Sequence, residues 1–220
     1  MASTRPKTRK RRRSREPVGL THEIVRREAL RLIDEEGLEE FSTRKLGRIL
    51  GCEAMALYWY YPSKDALLDA VVDLLMSGIA PSSAIEAADW VEGLRRIAHA
   101  YRGIARAHPR AFPLLATRRF ATAGTYAFLE QLFDVAHRQG VPDRTIARFY
   151  RAVSGYCSGV ALNELAGNDD DPSLAAVRAG FPRLAAVSKW LEPRHDDATF
   201  DFGLEILLDA LVRAAPQARR

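Results

Sequence analysis

Residues 43–64 read TRKLGRILGCEAMALYWYYPSK, two short helical stretches on either side of Leu50 and Gly51, with Tyr58, Trp59 and Tyr60 consecutive on the second. Gly51 marks the reversal, because glycine takes a positive φ without a Cβ clash. Ahead of it, Ser42 or Thr43 caps a helix on which Leu46, Ile49 and Leu50 recur at three- and four-residue steps, with Phe41 just outside. The stretch over 21–36 supplies a cover for that stripe: Val25, Ala29, Leu32 and Ile33 share one face, with Thr21 placed as N-cap and Gly37 as stop. Three helices closed around a glycine turn predict a helix-turn-helix, which makes double-stranded DNA the leading partner. Helix pairs of this kind also occur in repeat proteins and bundles, where the aromatics would be core.

The charge is distributed unevenly. Of 220 residues and a formal net charge of +5, residues 1–15 hold eight basic side chains and no acid, so the rest of the chain is 5 minus 8, or −3. That run, with Arg11, Arg12 and Arg13 at its centre, is too charged and too poor in apolar residues to fold alone. It reads as a disordered arm drawn to phosphates and able to enter a narrow minor groove, or else as a solubilising tail. No apolar stretch follows it as in a secretion signal, and no window reaches the 18 or more apolar residues of a membrane helix, so a cytoplasmic protein with no membrane partner is expected. Cys52 and Cys157 lack CxxC spacing and histidine partners and read as buried small residues, with no metal site.

Beyond the turn, residues 64–79 (KDALLDAVVDLLMSGI) form a connecting helix capped by Ser63 and ended by Pro81-Ser82-Ser83. Further segments with a 3.6-residue period span 89–108, 110–117, 122–139, 143–166, 173–191 and 199–214, and none alternates strictly, so an all-α chain is predicted. Their separators are His108-Pro109, Gly124, Gly140-Val141-Pro142, the acidic loop over 167–172 and Glu192-Pro193. The 143–166 helix places Val153, Cys157 and Val160 on an apolar stripe, with Gly155 and Gly159 four apart where a close neighbour would compensate for their lost helix stability. The last helix presents Gly203, Ile206, Leu207, Ala210 and Leu211. Two such faces suggest a four-helix seam between two copies of the chain, the alternative being that both stripes are buried within one copy.

Phe41-Ser42-Thr43-Arg44-Lys45-Leu46, the Leu50-Gly51 turn, Leu57-Tyr58-Trp59-Tyr60 and KDALLDA over 64–70 together closely resemble the DNA-binding domain of the tetracycline-repressor (TetR) family of bacterial regulators. FGLEILLDAL over 202–211 is similar to the end of that family's tetracycline-repressor-type C-terminal domain. The resemblance implies a basic arm over 1–16, a helix-turn-helix domain over 17–63, a connecting helix over 64–80 and a ligand-binding and dimerisation domain over 81–220. It implies a homodimeric repressor on a palindromic operator, released by a small-molecule inducer.

Carried across by position, the family's DNA contacts fall on Thr43, Arg44, Ala54, Met55, Ala56, Tyr58, Trp59, Tyr60 and Lys64. Tyr58 and Lys64 suit phosphate contacts, and Arg44 can bridge guanine O6 and N7. Ala54, Met55 and Ala56 offer thymine methyls an apolar contact and no side-chain hydrogen bond. Residues 16–75 hold seven basic and twelve acidic side chains, a net of −5, so the arm is expected to supply much of the attraction.

On the ligand side, His108 matches a histidine that touches the drug in the tetracycline repressor, although before Pro109 it also suits a ring satisfied by a backbone carbonyl. The second histidine and the metal-binding carboxylate of that site align with Gly155 and Asn163, which speaks against a tetracycline-magnesium complex. Phe112, Leu115, Tyr126, Phe133, Phe149, Tyr156 and Asn163 are candidates to line a mostly apolar cavity, or are core. No phosphate-cradling glycine loop, HExxH, Gly-x-Ser-x-Gly elbow or paired carboxylates gives catalysis a foothold, and no cofactor is implied. The competing readings are an activator or ligand-independent member of the same family, and a helical carrier or enzyme with an incidental helix-turn-helix.

Overall fold

The structure, a computed structural model, describes residues 19–79, 89–118, 122–166, 180–188, 190–191 and 196–214. Among these residues are ten helices and no strand, the all-α class that the periodicity predicts. The head comprises α1 (His22–Glu36), α2 (Thr43–Ile49) and α3 (Ala54–Leu57), and α4 (Lys64–Ser77) leads from it. The body comprises α5 (Trp90–Ala107), α6 (Phe112–Arg118), α7 (Ala123–Arg138), α8 (Asp143–Ala166), α9 (Pro182–Ser188) and α10 (Asp196–Ala214). The arm with Arg11, Arg12 and Arg13, the stop at Pro81 and the acidic loop over 167–172 lie outside the described residues.

Local chemistry sets the head's boundaries. Thr21 Oγ1 accepts from the Ile24 amide at 3.1 Å, Ser42 Oγ from Lys45 at 3.3 Å and Ser63 Oγ from Ala66 at 3.0 Å, each satisfying an amide that the first turn leaves without a partner. Gly51 sits at φ +67°, as the turn demands. Gly47 is the less visible requirement: a Cβ there would stand 2.8 Å from the Cys52 carbonyl oxygen and 3.1 Å from the Ala54 nitrogen, so α2 and α3 approach this closely only over a glycine. Ile49, read as part of the core stripe, is 43% exposed. At 100° per residue the buried arc is centred between Leu46 and Gly47, and Ile49 falls beyond its edge.

One hydrophobic core runs from head to body. Val25, Ala29, Leu32 and Ile33 of α1 meet Phe41, Leu46 and Leu57, and then Leu67, Val71 and Leu75 of α4. In the body, α5 packs on α8, and α10 packs on both. Phe200, Leu204, Leu208 and Leu211 turn inward from α10. Polar ties fix the three: Arg102, 4% exposed, donates to the Glu164 carboxylate from Nε at 2.8 Å and from Nη2 at 2.6 Å, with its guanidinium 4.6 Å from the Phe200 ring. Arg95 reaches Glu205 through Nε at 2.7 Å and Nη2 at 2.9 Å.

Candidate nucleic-acid interface and interior cavity

The head's charges are mostly spoken for. Arg26 and Arg27 pair with Glu23, and Arg31 pairs with Glu28 and Glu35. Lys45 bonds Glu36 at 2.6 Å and Glu40 at 3.2 Å, and those hydrogen bonds hold its ammonium above the ordinary lysine range. Lys64 Nζ donates to the Phe41 carbonyl at 3.0 Å and lies over the Phe41 ring, while its side chain remains at the surface. Arg44 and Arg48, one turn apart on α2, are exposed and, among the described residues, in no ion pair. Sequence reading singles out only Arg44; the signal for Arg48 is its four-residue offset, which puts both guanidiniums on one face.

The head also exposes Met55 at 66%, Trp59 at 54% and Tyr58 at 38%, an apolar and aromatic surface on and just after α3. The aromatics do not lie on a helix. α3 ends at Leu57, and Trp59 N and Tyr60 N bond three residues back, to Ala56 and Leu57 carbonyls, a tightened turn that Pro62 stops from propagating. That turn points Tyr60 inward: it is 6% exposed and its hydroxyl donates to the Leu20 carbonyl at 3.2 Å. Ala56 is also buried, at 8%. Both are head core and not part of the exposed face.

The body holds a partly open apolar cavity of about 60 Å³ between α4, α5, α7 and α8, lined by residues such as Ile79, Leu94, Leu132, Tyr150 and Val153, with Thr125, Ser154 and Cys157 also in its wall. Burial pushes the Cys157 thiol up to about 12, so it is neutral. Cys52 is only half-buried.

The family model for the tetracyclin repressor-like C-terminal domain matches residues 83–214, and that for bacterial regulatory proteins of the tetR family matches residues 25–71. The chain belongs to the TetR family. Among its relatives, tetracycline repressor protein class C of Escherichia coli is 31% identical over 206 residues, 87% of this chain and 90% of that protein. A possible TetR family transcriptional regulator from Streptomyces coelicolor A3(2) superposes with a TM-score of 0.75 at 29% identity, covering 88% of this chain and 99% of that one. A TetR variant from Acinetobacter baumannii AYE, crystallised with minocycline, gives a TM-score of 0.71 at 25% identity over 90% of this chain and 99% of that one. Among the described residues, no helix is long and apolar enough to cross a membrane.

In this TetR-family chain none of the eight residues expected to touch a ligand lines the interior cavity. His108 pairs with Asp34 of α1, in a cleft between head and body. Phe112 and Leu115 are fully buried core, Phe112 meeting Tyr101 edge to face. Tyr126 and Asn163 are on the surface. Phe133 stands against Tyr150 outside the cavity, Phe149 is half-buried core, and Tyr156 stacks on Phe200 with its hydroxyl on the Phe200 carbonyl at 2.9 Å. The cavity draws instead on the inward faces of α5, α7 and α8, whose sequence signal is indistinguishable from core.

The seam residues divide similarly. Val153, Cys157 and Leu211 are buried within the chain. Gly203 lies under the Tyr156 ring, which a Cβ would overlap. Val160, Leu207 and Ala210 are half-buried, and Ile206 is 51% exposed. α10 has two apolar faces, and periodicity alone does not say which of them the chain itself covers. The outward one carries Phe202 at 70% and Val212 at 57% exposure with Ile206; on α8, Gly155, Gly159 and Leu162 are exposed.

Proposed function

We propose that the protein is a ligand-responsive transcriptional repressor that binds a palindromic operator as a homodimer and leaves it when a small molecule occupies the body. The observation that supports this reading best is that two exposed guanidiniums, Arg44 and Arg48, are in no ion pair among the described residues, on a head that also exposes Met55, Tyr58 and Trp59 and whose other described cations face glutamates or a carbonyl. Arg44 is assigned to guanine O6 and N7, Met55 and Ala54 to thymine methyls, and Thr43, Arg48, Tyr58 and Lys64 to phosphates; Trp59 packs along the sugar-phosphate edge. Lys64 reaches a phosphate from the carbonyl that now holds it. Because residues 16–75 have a net charge of −5, the eight basic residues of the arm supply the sequence-independent attraction.

The homodimer reading rests on the outward faces of α8 and α10. Gly155 and Gly159 each cost about 1 kcal/mol of helix stability relative to alanine, yet a Cβ built on either meets nothing within 4 Å among the described residues. A partner's helix laid across them is the compensation, with Leu162, Phe202, Ile206 and Val212 as the surrounding apolar contact.

The test is selection of bound fragments from the host genome with the purified full chain. An enriched inverted repeat is the expected outcome, with Arg44→Ala relaxing preference at one base pair per half-site. Enrichment of no sequence, or of a motif without two-fold symmetry, refutes the reading.

A further inference from the structure

A second cavity lies between head and body. It is a cleft of about 470 Å³, open to solvent, lined by Leu30 of α1, Leu74 and Leu75 of α4, and Ala100, Ile104 and Ala107 of α5, with Arg27 and His108 as its polar members. That volume lies within the roughly 300–1,000 Å³ of a small-molecule site. The cleft shares no lining residue with the body cavity. Because its walls come from α1, α4 and α5, an occupant touches the helix-turn-helix head and the body together.

Charge selects what fits. No aspartate or glutamate lines the cleft. Arg27, with 69% of its side chain exposed, donates to Glu23 through Nε, which leaves its two terminal amino groups without a partner among the described residues. The Glu23 carboxylate is shared with Arg26, so two positive charges at this edge stand against one negative. An unengaged guanidinium edge at an apolar wall complements a carboxylate carried on an apolar body, since two parallel N–H donors meet its two oxygens. The carboxylate stays at the water-exposed rim, so no buried-charge penalty opposes it. His108, the other polar member, has its Nδ1 committed to Asp34 at 2.7 Å. The body cavity differs, because no charged side chain lines it to receive an anion.

We propose that the cleft between head and body binds an amphiphilic monocarboxylate, its apolar part against Leu30, Leu74 and Ile104 and its carboxylate on Arg27. This site is additional to the one on which the regulatory reading relies, and its test needs no DNA. The full chain is titrated calorimetrically with decanoate below its micellar concentration, and with decanol, which matches it in chain length and has no charge. Saturable binding of one decanoate per chain is expected, weakening as salt screens the pair. Ala107→Phe, at an exposed position of the wall, puts a ring in the cleft and lowers decanoate affinity at least about tenfold. Arg27→Gln narrows the preference for the acid over the alcohol about fivefold, as loss of a solvent-exposed charge pair should.

Absence of saturable decanoate binding overturns the proposal. So does an unchanged affinity in Ala107→Phe, or an acid-over-alcohol preference that survives Arg27→Gln. Should Ala107→Phe fail to fold, Arg27→Gln decides alone. Operator selection is scored in a separate experiment: a chain that selects no operator but binds decanoate in this way refutes the regulatory reading and leaves the cleft assignment standing.

Discussion

His108 Nδ1 stands 2.7 Å from Asp34 Oδ2, tying the residue that ends α5 to the last turns of α1. Two residues on, Arg110 donates to the carbonyl of Glu35, so head and body are joined twice within a few ångströms. The other oxygen, Asp34 Oδ1, is buried with no partner among the described residues, where the imidazole is the carboxylate's hydrogen-bond partner. These two contacts join α1 of the head to the end of α5, the helix that carries Leu94, Ile97, Ala98 and Tyr101 of the pocket lining.

His108→Ala strands a half-buried carboxylate and is expected to cost about 1–3 kcal/mol. Adding Asp34→Leu removes the stranded group and is expected to restore part of that loss. Thermal unfolding of the two single variants and the double variant forms a cycle that checks it. Additive losses, with no coupling between the positions, would sink the idea that they act as a pair.

Neighbouring rings in the head have opposite roles. Tyr60→Phe loses the hydrogen bond to the Leu20 carbonyl and should cost about 1 kcal/mol of stability while operator affinity is unchanged. Trp59→Ala truncates a ring that is 54% exposed, so stability should hold within about 0.5 kcal/mol while operator affinity falls. Unfolding curves beside fluorescence-anisotropy titrations distinguish the two, and an interchange of the outcomes would return Tyr60 to the interface.

That contrast shows what a linear reading can reach. Caps are local, decided by one oxygen and an amide three residues on, so Thr21, Ser42 and Ser63 are legible, and so is the positive φ of Gly51. The direction of the aromatics is not local: it depends on α3 ending after four residues, and on Leu20, forty positions away, presenting a free carbonyl. Gly47 passes unnoticed because its constraint is the close approach of another backbone, not a special dihedral. In the body, Phe112 and Leu94 have the same chemistry, and only packing distinguishes a core residue from a cavity wall.

The Arg95 guanidinium holds the Glu205 carboxyl below the ordinary glutamate range, with Glu205 itself half-exposed. A folded-state value below the unfolded one means the stabilisation is complete above the ordinary glutamate value, about pH 4.3. It fades as acid titrates the carboxylate through its lowered folded value. Glu205→Gln should therefore melt below the wild type at pH 7, with the gap closing as pH falls below 4. High salt at pH 7 should shrink the gap too, since the pair is open to solvent. A gap that is constant from pH 7 to pH 3 would mean that charge has no part in the α5–α10 contact.

The outward seam and the inward packing of α8 and α10 make separable predictions. At Gly159 a side chain meets open space, and replacing a helical glycine favours the helix, so Gly159→Arg should leave each protomer at least as stable. It places two like charges against each other across a two-fold axis, and so should dissociate the pair; Ile206→Arg should do the same from α10. Gly203→Ala is different. Its Cβ overlaps a Tyr156 ring pinned by the Phe200 stack and by carbonyl hydrogen bonds, so the protomer loses stability whatever its association state. Sedimentation velocity at micromolar concentration, run beside thermal unfolding, reads both quantities. Stable monomers from the first two variants, and an unstable protomer from the third, are expected. A wild type that sediments as a monomer, or a Gly159→Arg protein that still sediments as a dimer, removes this face from the assembly.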